Sequence, residues 1–108
     1  MRRFASLRRQ ADFARLRRHG RRITTKGLAI YRSDSPPSDV RALVGIAISK
    51  TIGKAVTRNK LRRRLAAILD EALAQRDPMR LLFVARPLAA GASFADLRSE
   101  VTSALGPV

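Results

Sequence analysis

The sequence predicts an α+β fold: a small single-domain sandwich of one mixed sheet with helices packed on it. Two stretches, "VRALVGIAIS" and "MRLLFVARP", are apolar enough to be central strands. Between them the apolar period changes to that of a helix, which makes a strand-helix-strand crossover. With 108 residues, 45% of them hydrophobic, the chain can build one modest core and not two. The predicted order is α-β-β-β-α-β-α, with a four-stranded sheet and disordered ends at 1–6 and 106–108.

Each element has a local reason. Leu7, Phe13 and Leu16, with Ala11 and Ala14, suggest a short first helix that ends near "HGRR", where Gly20 suits a left-handed C-cap. His19 then ends the helix, where its partial charge suits the dipole. "ITTKGLAIYRS" has the β-branched and aromatic content of strand, with Ile23, Leu28, Ile30 and Tyr31 as packing residues. "SDSPPSD" is a loop, because adjacent prolines cannot continue a ladder. The next strand carries Gly45, a place where a side chain is unwelcome.

After Gly53, residues Leu61, Leu65, Ile68, Leu69, Ala72 and Leu73 form one apolar stripe. They predict a helix over 56–75 that stops before Pro78. The strand "MRLLFVARP" is closed by Pro87. In "SFADLRSEVTSAL" Ser93 is the expected N-cap and Phe94, Leu97, Val101 and Leu105 the inward face.

Charge sets the function class. The formal net charge is +15, and of 23 basic residues nine fall in 2–22 and seven in 50–64, against one acid, Asp12, in those blocks. Such crowding opposes the compact state unless a polyanion neutralises it, and it speeds association with one. Nucleic acid is the obvious candidate. No apolar run approaches the roughly 18 residues a membrane span needs. The absence of cysteine excludes disulfides, zinc ribbons and thiol catalysis and is compatible with the cytoplasm, the expected location. "MRRFASLRRQADF" has no apolar segment of a secretory signal.

The helix start "TRNKLRRRL" concentrates the basic charge. At about 100° per residue, Arg58, Arg62, Asn59 and Arg63 lie on one flank of the apolar stripe, while Lys60 and Arg64 point to the far side. Guanidinium forks match phosphate oxygens, and asparagine offers both donor and acceptor. A solvated face is the ordinary fate of charged helix surfaces, but such faces mix signs. Here the bases stand at a helix N-terminus, where cations oppose the macrodipole, so local stability does not account for them.

Catalytic sets are absent. A phosphate loop around Gly53 and Lys54 fails, with Ile48 where a glycine is needed and Ala55 where Ser or Thr is needed. A single histidine cannot form a metal-binding pair, and neither Asp70 with Glu71 nor Asp34 with Asp39 looks like a two-carboxylate site. Phe13 reads equally as core or contact residue. Tyr31, at a strand end beside Arg32, could stack on an unpaired base.

"VGIAISKTIGKAVTRNKLRRRL" closely resembles the signature of the bacterial ribonuclease P protein subunit, and the Gly-x-Ala-Val-x-Arg-Asn element is its specific part. "LRRQADFARLRRHGRR", "LAIYRSD" and "LLFVARP" resemble that family's first helix, tyrosine-bearing strand and last strand, in order and across nearly the whole chain. The resemblance implies one RNA-binding domain over 1–108 with a left-handed crossover, against the general right-handed rule. It implies that the chain assists, by binding, a catalytic RNA that removes the 5′ leader of precursor tRNA. No catalytic residue would belong to the protein. It implies no cofactor on the protein itself, with Mg2+ required by the RNA-protein holoenzyme, and as partners the catalytic RNA and precursor tRNA.

Carried over by position, Arg58, Asn59, Lys60, Arg62, Arg63, Lys50 and Lys54 would face the catalytic RNA. Phe13, Arg17, Tyr31 and Ser49 would line the leader cleft. Arg17 stands where the family often has a second aromatic, and Ala66 where another arginine is common. The alternatives are a structural ribosomal-type protein, which the charge alone also allows, a DNA-binding module, for which no helix-turn-helix pair is found, and a membrane-surface role, for which the first helix has too little apolar face. Membrane, DNA and small-molecule partners are therefore not expected.

Overall fold

The computed structural model describes residues 3–107. In chain order the elements are β1 (Phe4–Ser6), α1 (Gln10–His19), β2 (Arg21–Thr24), β3 (Leu28–Asp34), β4 (Ala42–Ala47), α2 (Ala55–Ala72), β5 (Met79–Ala85) and α3 (Phe94–Leu105), with single 3-10 turns at Lys50–Ile52 and Pro87–Gly91. The strands form one mixed sheet in the order β1-β4-β5-β3-β2. β1 and β5 both run parallel to β4, while β3 is antiparallel to β5 and β2 to β3. The α+β sandwich and the mixed sheet are as predicted. The sheet has five strands, not four.

The additional strand is β1, within a segment expected to be disordered. Three residues among arginines are too short to show a period, but Phe4 is only 6% exposed and packs into the main core. Of the other residues in question at the ends, 3, 106 and 107 are described, with Gly106 following α3, and 1, 2 and 108 lie outside the described residues. "ITTKGLAIYRS" divides at Thr25–Gly27 into a hairpin, with the Thr25 N–H donating to the Leu28 carbonyl at 2.8 Å.

The pleat sends alternate residues to two layers. Leu28 and Ile30 of β3, Ala42 and Val44 of β4, and Leu81 and Phe83 of β5 meet Leu61, Leu65, Ile68 and Leu69 of α2 and Leu97, Val101 and Leu105 of α3. On the opposite side Leu82 meets Leu7 and Leu16, with Phe13, Tyr31, Leu43, Ala47 and Val84 partly buried around them. Two helices thus cover one face, and one ten-residue helix covers part of the other.

Three boundaries differ from expectation. α1 begins at Gln10, so Leu7 packs from the connection before it. Gly20 is extended (φ −72°, ψ 156°), not left-handed. A Cβ there would come within 2.5 Å of the Leu16 carbonyl oxygen, so glycine is needed for close approach. α2 ends at Ala72, where the chain turns through Leu73. Ser93 caps α3 as predicted, its Oγ accepting from the Asp96 N–H at 3.0 Å.

Arg80 fastens α1 and the 35–41 loop to the sheet. Its Nε and Nη2 donate to the two Asp39 carboxylate oxygens at 3.0 and 3.3 Å, and Nη1 donates to Asp12 of α1 at 3.2 Å. These hydrogen bonds to Arg80 hold the Asp39 carboxyl below its usual range, against the opposing effect of burial. Stability from this group is therefore fully present above the unfolded aspartate pKa of about 3.9 and is lost as pH falls through the lower folded value. Asp39→Asn is expected to cost about 1–3 kcal/mol at pH 7. In denaturant titrations its gap from the wild type should close as the pH is lowered below 4, and a gap that persisted there would mean that ionisation is not what the pair contributes.

Candidate nucleic-acid interface

The basic helix start is built by a turn. β4 leads through Ile48 and Ser49 into the 3-10 turn Lys50–Ile52, and Gly53 then takes φ 157°, which disfavours any side chain. α2 starts at Ala55 with Lys54 as a cap residue that offers no side-chain acceptor. The Arg58 Nε donates to the Gly53 carbonyl at 3.2 Å, so this arginine closes the turn and is half-buried. Asn59, Lys60, Arg62 and Arg63 are exposed, and Arg62 donates to the Asn59 side-chain oxygen at 3.4 Å.

Among the described residues, none of Lys50, Lys54, Arg58, Lys60, Arg62 and Arg63 forms a salt bridge. Arg64 points away, as expected, and donates to the Ala92 carbonyl at 3.1 Å. The flank does not continue past Arg63. Ala66 is buried, and Asp70 accepts from the Arg3 backbone N–H at 2.6 Å. Val56 in the first turn is 79% exposed, an apolar surface residue that the stripe analysis leaves out.

The second candidate surface lies on the α1 side of the sheet. In register, Gly45 of β4, Leu82 of β5, Tyr31 of β3 and Arg22 of β2 form one transverse row. Phe13 lies over its first member: a Cβ on Gly45 would come within 2.5 Å of the Phe13 ring. The next row, Ala47, Val84, Ala29 and Thr24, makes a floor of small and apolar side chains beside it. Phe13 and Tyr31 are both half-exposed there. Arg17, one helical turn after Phe13 on the same face of α1, is exposed.

Ser49 follows the floor at the end of β4, its Oγ 2.5 Å from the Thr51 hydroxyl. The predicted residues thus form two groups, Phe13, Arg17, Tyr31 and Ser49 beside the half-covered sheet face and the bases around the start of α2. The segment 48–54 joins them. Arg22 was not singled out from sequence, yet its guanidinium sits 5.8 Å from the centre of the Tyr31 ring. Reading Lys26–Gly27 as a two-residue hairpin turn, with Thr25 opposite Leu28, would have paired the two.

No three His, Asp or Glu side chains among the described residues gather into a set able to hold a metal ion. No helix among them is long and apolar enough to cross a membrane.

The family model of ribonuclease P matches residues 1–108. The ribonuclease P protein component of Acidothermus cellulolyticus is 39% identical over 102 residues, covering 93% of this chain and 84% of its own. That of Thermobifida fusca is 36% identical over 109 residues, covering 94% and 74%. Among solved structures, the Staphylococcus aureus RNase P protein superposes with a TM-score of 0.83 over 93% of this chain and 91% of its own. At 21% identity that likeness bears on the fold.

The close approach at Gly45 generates a prediction. Gly45→Ala should displace the Phe13 ring, which can swing at its far end, and leave the sheet intact. The Leu82 methyl resonances, beside the same Cβ position at 3.3 Å, should shift with it. Unchanged methyl shifts would place Phe13 elsewhere in solution.

Proposed function

The chain belongs to the ribonuclease P family, and from that membership we propose that it binds the catalytic RNA of the enzyme and the 5′ leader of precursor tRNA. The observation that carries the reading is the unpaired basic start of α2, on the element that holds the family's most specific motif. Cations at a helix N-terminus with no acid to answer them weaken the isolated protein. A polyanion in contact with them reverses that effect.

In this reading Arg62 and Arg63 take backbone phosphates of the catalytic RNA, Asn59 takes a base or sugar hydroxyl, and Lys50, Lys54 and Lys60 add unlocalised positive charge. Arg58 contributes charge while its Nε holds the Gly53 turn. The leader, being single-stranded, runs along the α1 side of the sheet, where Phe13 and Tyr31 offer stacking faces, Arg17 a phosphate contact and Ser49 a hydroxyl. Phosphodiester cleavage belongs to the RNA and to Mg2+ bound there. The protein positions the substrate.

The decisive experiment is reconstitution: the purified protein is added to the cognate catalytic RNA at low magnesium, and release of the leader is followed. Stimulated cleavage at the mature 5′ end, with none by protein alone, supports the subunit reading. Absence of stimulation together with tight binding to another structured RNA would replace it with a ribosomal-type role.

Three variants divide the surfaces. Arg62→Ala and Arg63→Ala should each lower the salt dependence of catalytic-RNA binding by about 0.9 in log-log slope, the value for one phosphate contact on a duplex. Tyr31→Ala should weaken precursor binding by on the order of 1–3 kcal/mol, with mature tRNA unaffected, if a base stacks on the ring. An equal loss for both RNAs would make Tyr31 a packing residue.

A further inference from the structure

We infer that Arg22 extends the leader-binding surface across β2 and shifts recognition there from base stacking toward phosphate contact. The inference rests on the cleft reading above and adds a residue to it.

Three observations carry it. Arg22 occupies the outer end of the row Gly45, Leu82, Tyr31, Arg22, so it shares a sheet face with Tyr31 and with the Phe13 ring over Gly45. Neighbouring strands lie about 4.8 Å apart, so the row spans roughly 14 Å across the sheet. The Arg22 guanidinium is exposed and held 5.8 Å from the Tyr31 ring centre, and among the described residues it forms no salt bridge. It is therefore placed but not neutralised. Edge strands often carry arginine to discourage pairing with other chains. Arg21, which alternates to the other face opposite Arg32, already meets that need at this edge.

A base stacked on Tyr31 would bring a flanking phosphate within reach of this guanidinium. Arg17 stands on the same face of α1 as Phe13, so a cation accompanies each of the two rings. Binding through phosphates depends on salt and is indifferent to base identity.

The test uses the holoenzyme reconstituted with its catalytic RNA, comparing precursors with A-rich and U-rich leaders against mature tRNA over a range of salt. Arg22→Ala should weaken both precursors roughly tenfold, lower the salt slope by about 0.7 as for one phosphate of a single strand, and leave mature tRNA unaffected. Arg22→Lys should restore the slope. Far-UV circular dichroism verifies that the variants fold.

Unchanged affinity and slope in Arg22→Ala would overturn the inference. So would tighter precursor binding, which would make the guanidinium a plug over Tyr31, or a loss confined to one leader sequence. Tyr31→Ala measured alongside separates the two levels. If it distinguishes precursor from mature tRNA while Arg22→Ala does not, the inference about Arg22 alone fails. If neither distinguishes them, the cleft reading fails with it.

Discussion

Scarcity of carboxylates governs this molecule. With eight acids for 23 bases, negative charge is available for only a few contacts, and the fold uses it where chain segments must be joined. Asp12 and Asp39 share Arg80, Asp70 receives the backbone of Arg3, Glu71 meets Arg98, and Glu100 takes the Thr25 hydroxyl and the Gly27 N–H at the tip of the β2–β3 hairpin. Each ties segments distant in sequence. Among the described residues left without a carboxylate are the bases at the beginning of α2, where charge runs opposite to the helix dipole. That helix stands because Leu61, Leu65, Ile68 and Leu69 are buried beneath it, not because its polar surface favours it.

The two candidate surfaces depend on backbone approach as much as on charge. Gly45 allows the Phe13 ring to lie directly on the sheet, and Gly20 allows the chain to leave α1 against the Leu16 carbonyl and enter β2. Together they keep α1 close to the sheet and leave Ala47, Val84 and Thr24 of the neighbouring row only partly covered. Gly53 redirects the chain between that floor and the basic helix. Three glycines thus fix the relation of an aromatic surface to a cationic one.

Much of this was legible in the sequence because it follows from period and punctuation. The central strands, the stripe on α2, the Ser93 cap and the unwelcome side chain at Gly45 each have a local cause. β1 was not legible, since a three-residue parallel strand is stabilised by its partner β4 and by burial of Phe4, neither of which a local pattern records. The extended Gly20 was missed for a related reason. Glycine after a helix usually signals a left-handed residue, but here the requirement comes from a carbonyl one turn back and from Arg32 on the neighbouring hairpin strand. On the basic helix, spacing placed the exposed flank well. The hydrogen bond of Arg58 to Gly53 and the burial of Ala66 are tertiary facts that no angular plot contains.

The position of β5 bears on how the chain comes to be folded at all. It is the last strand in sequence and the middle one in space, hydrogen-bonded to β4 on one side and β3 on the other, with Leu81, Leu82 and Phe83 wholly buried. A nascent chain that has emerged only as far as α2 can therefore pair β1 with β4 and β2 with β3, but these two halves have no ladder between them. The sheet is continuous only once β5 has been added between them. Until then the chain is an open, strongly cationic polymer with two inner strand edges that only this seven-residue segment can pair.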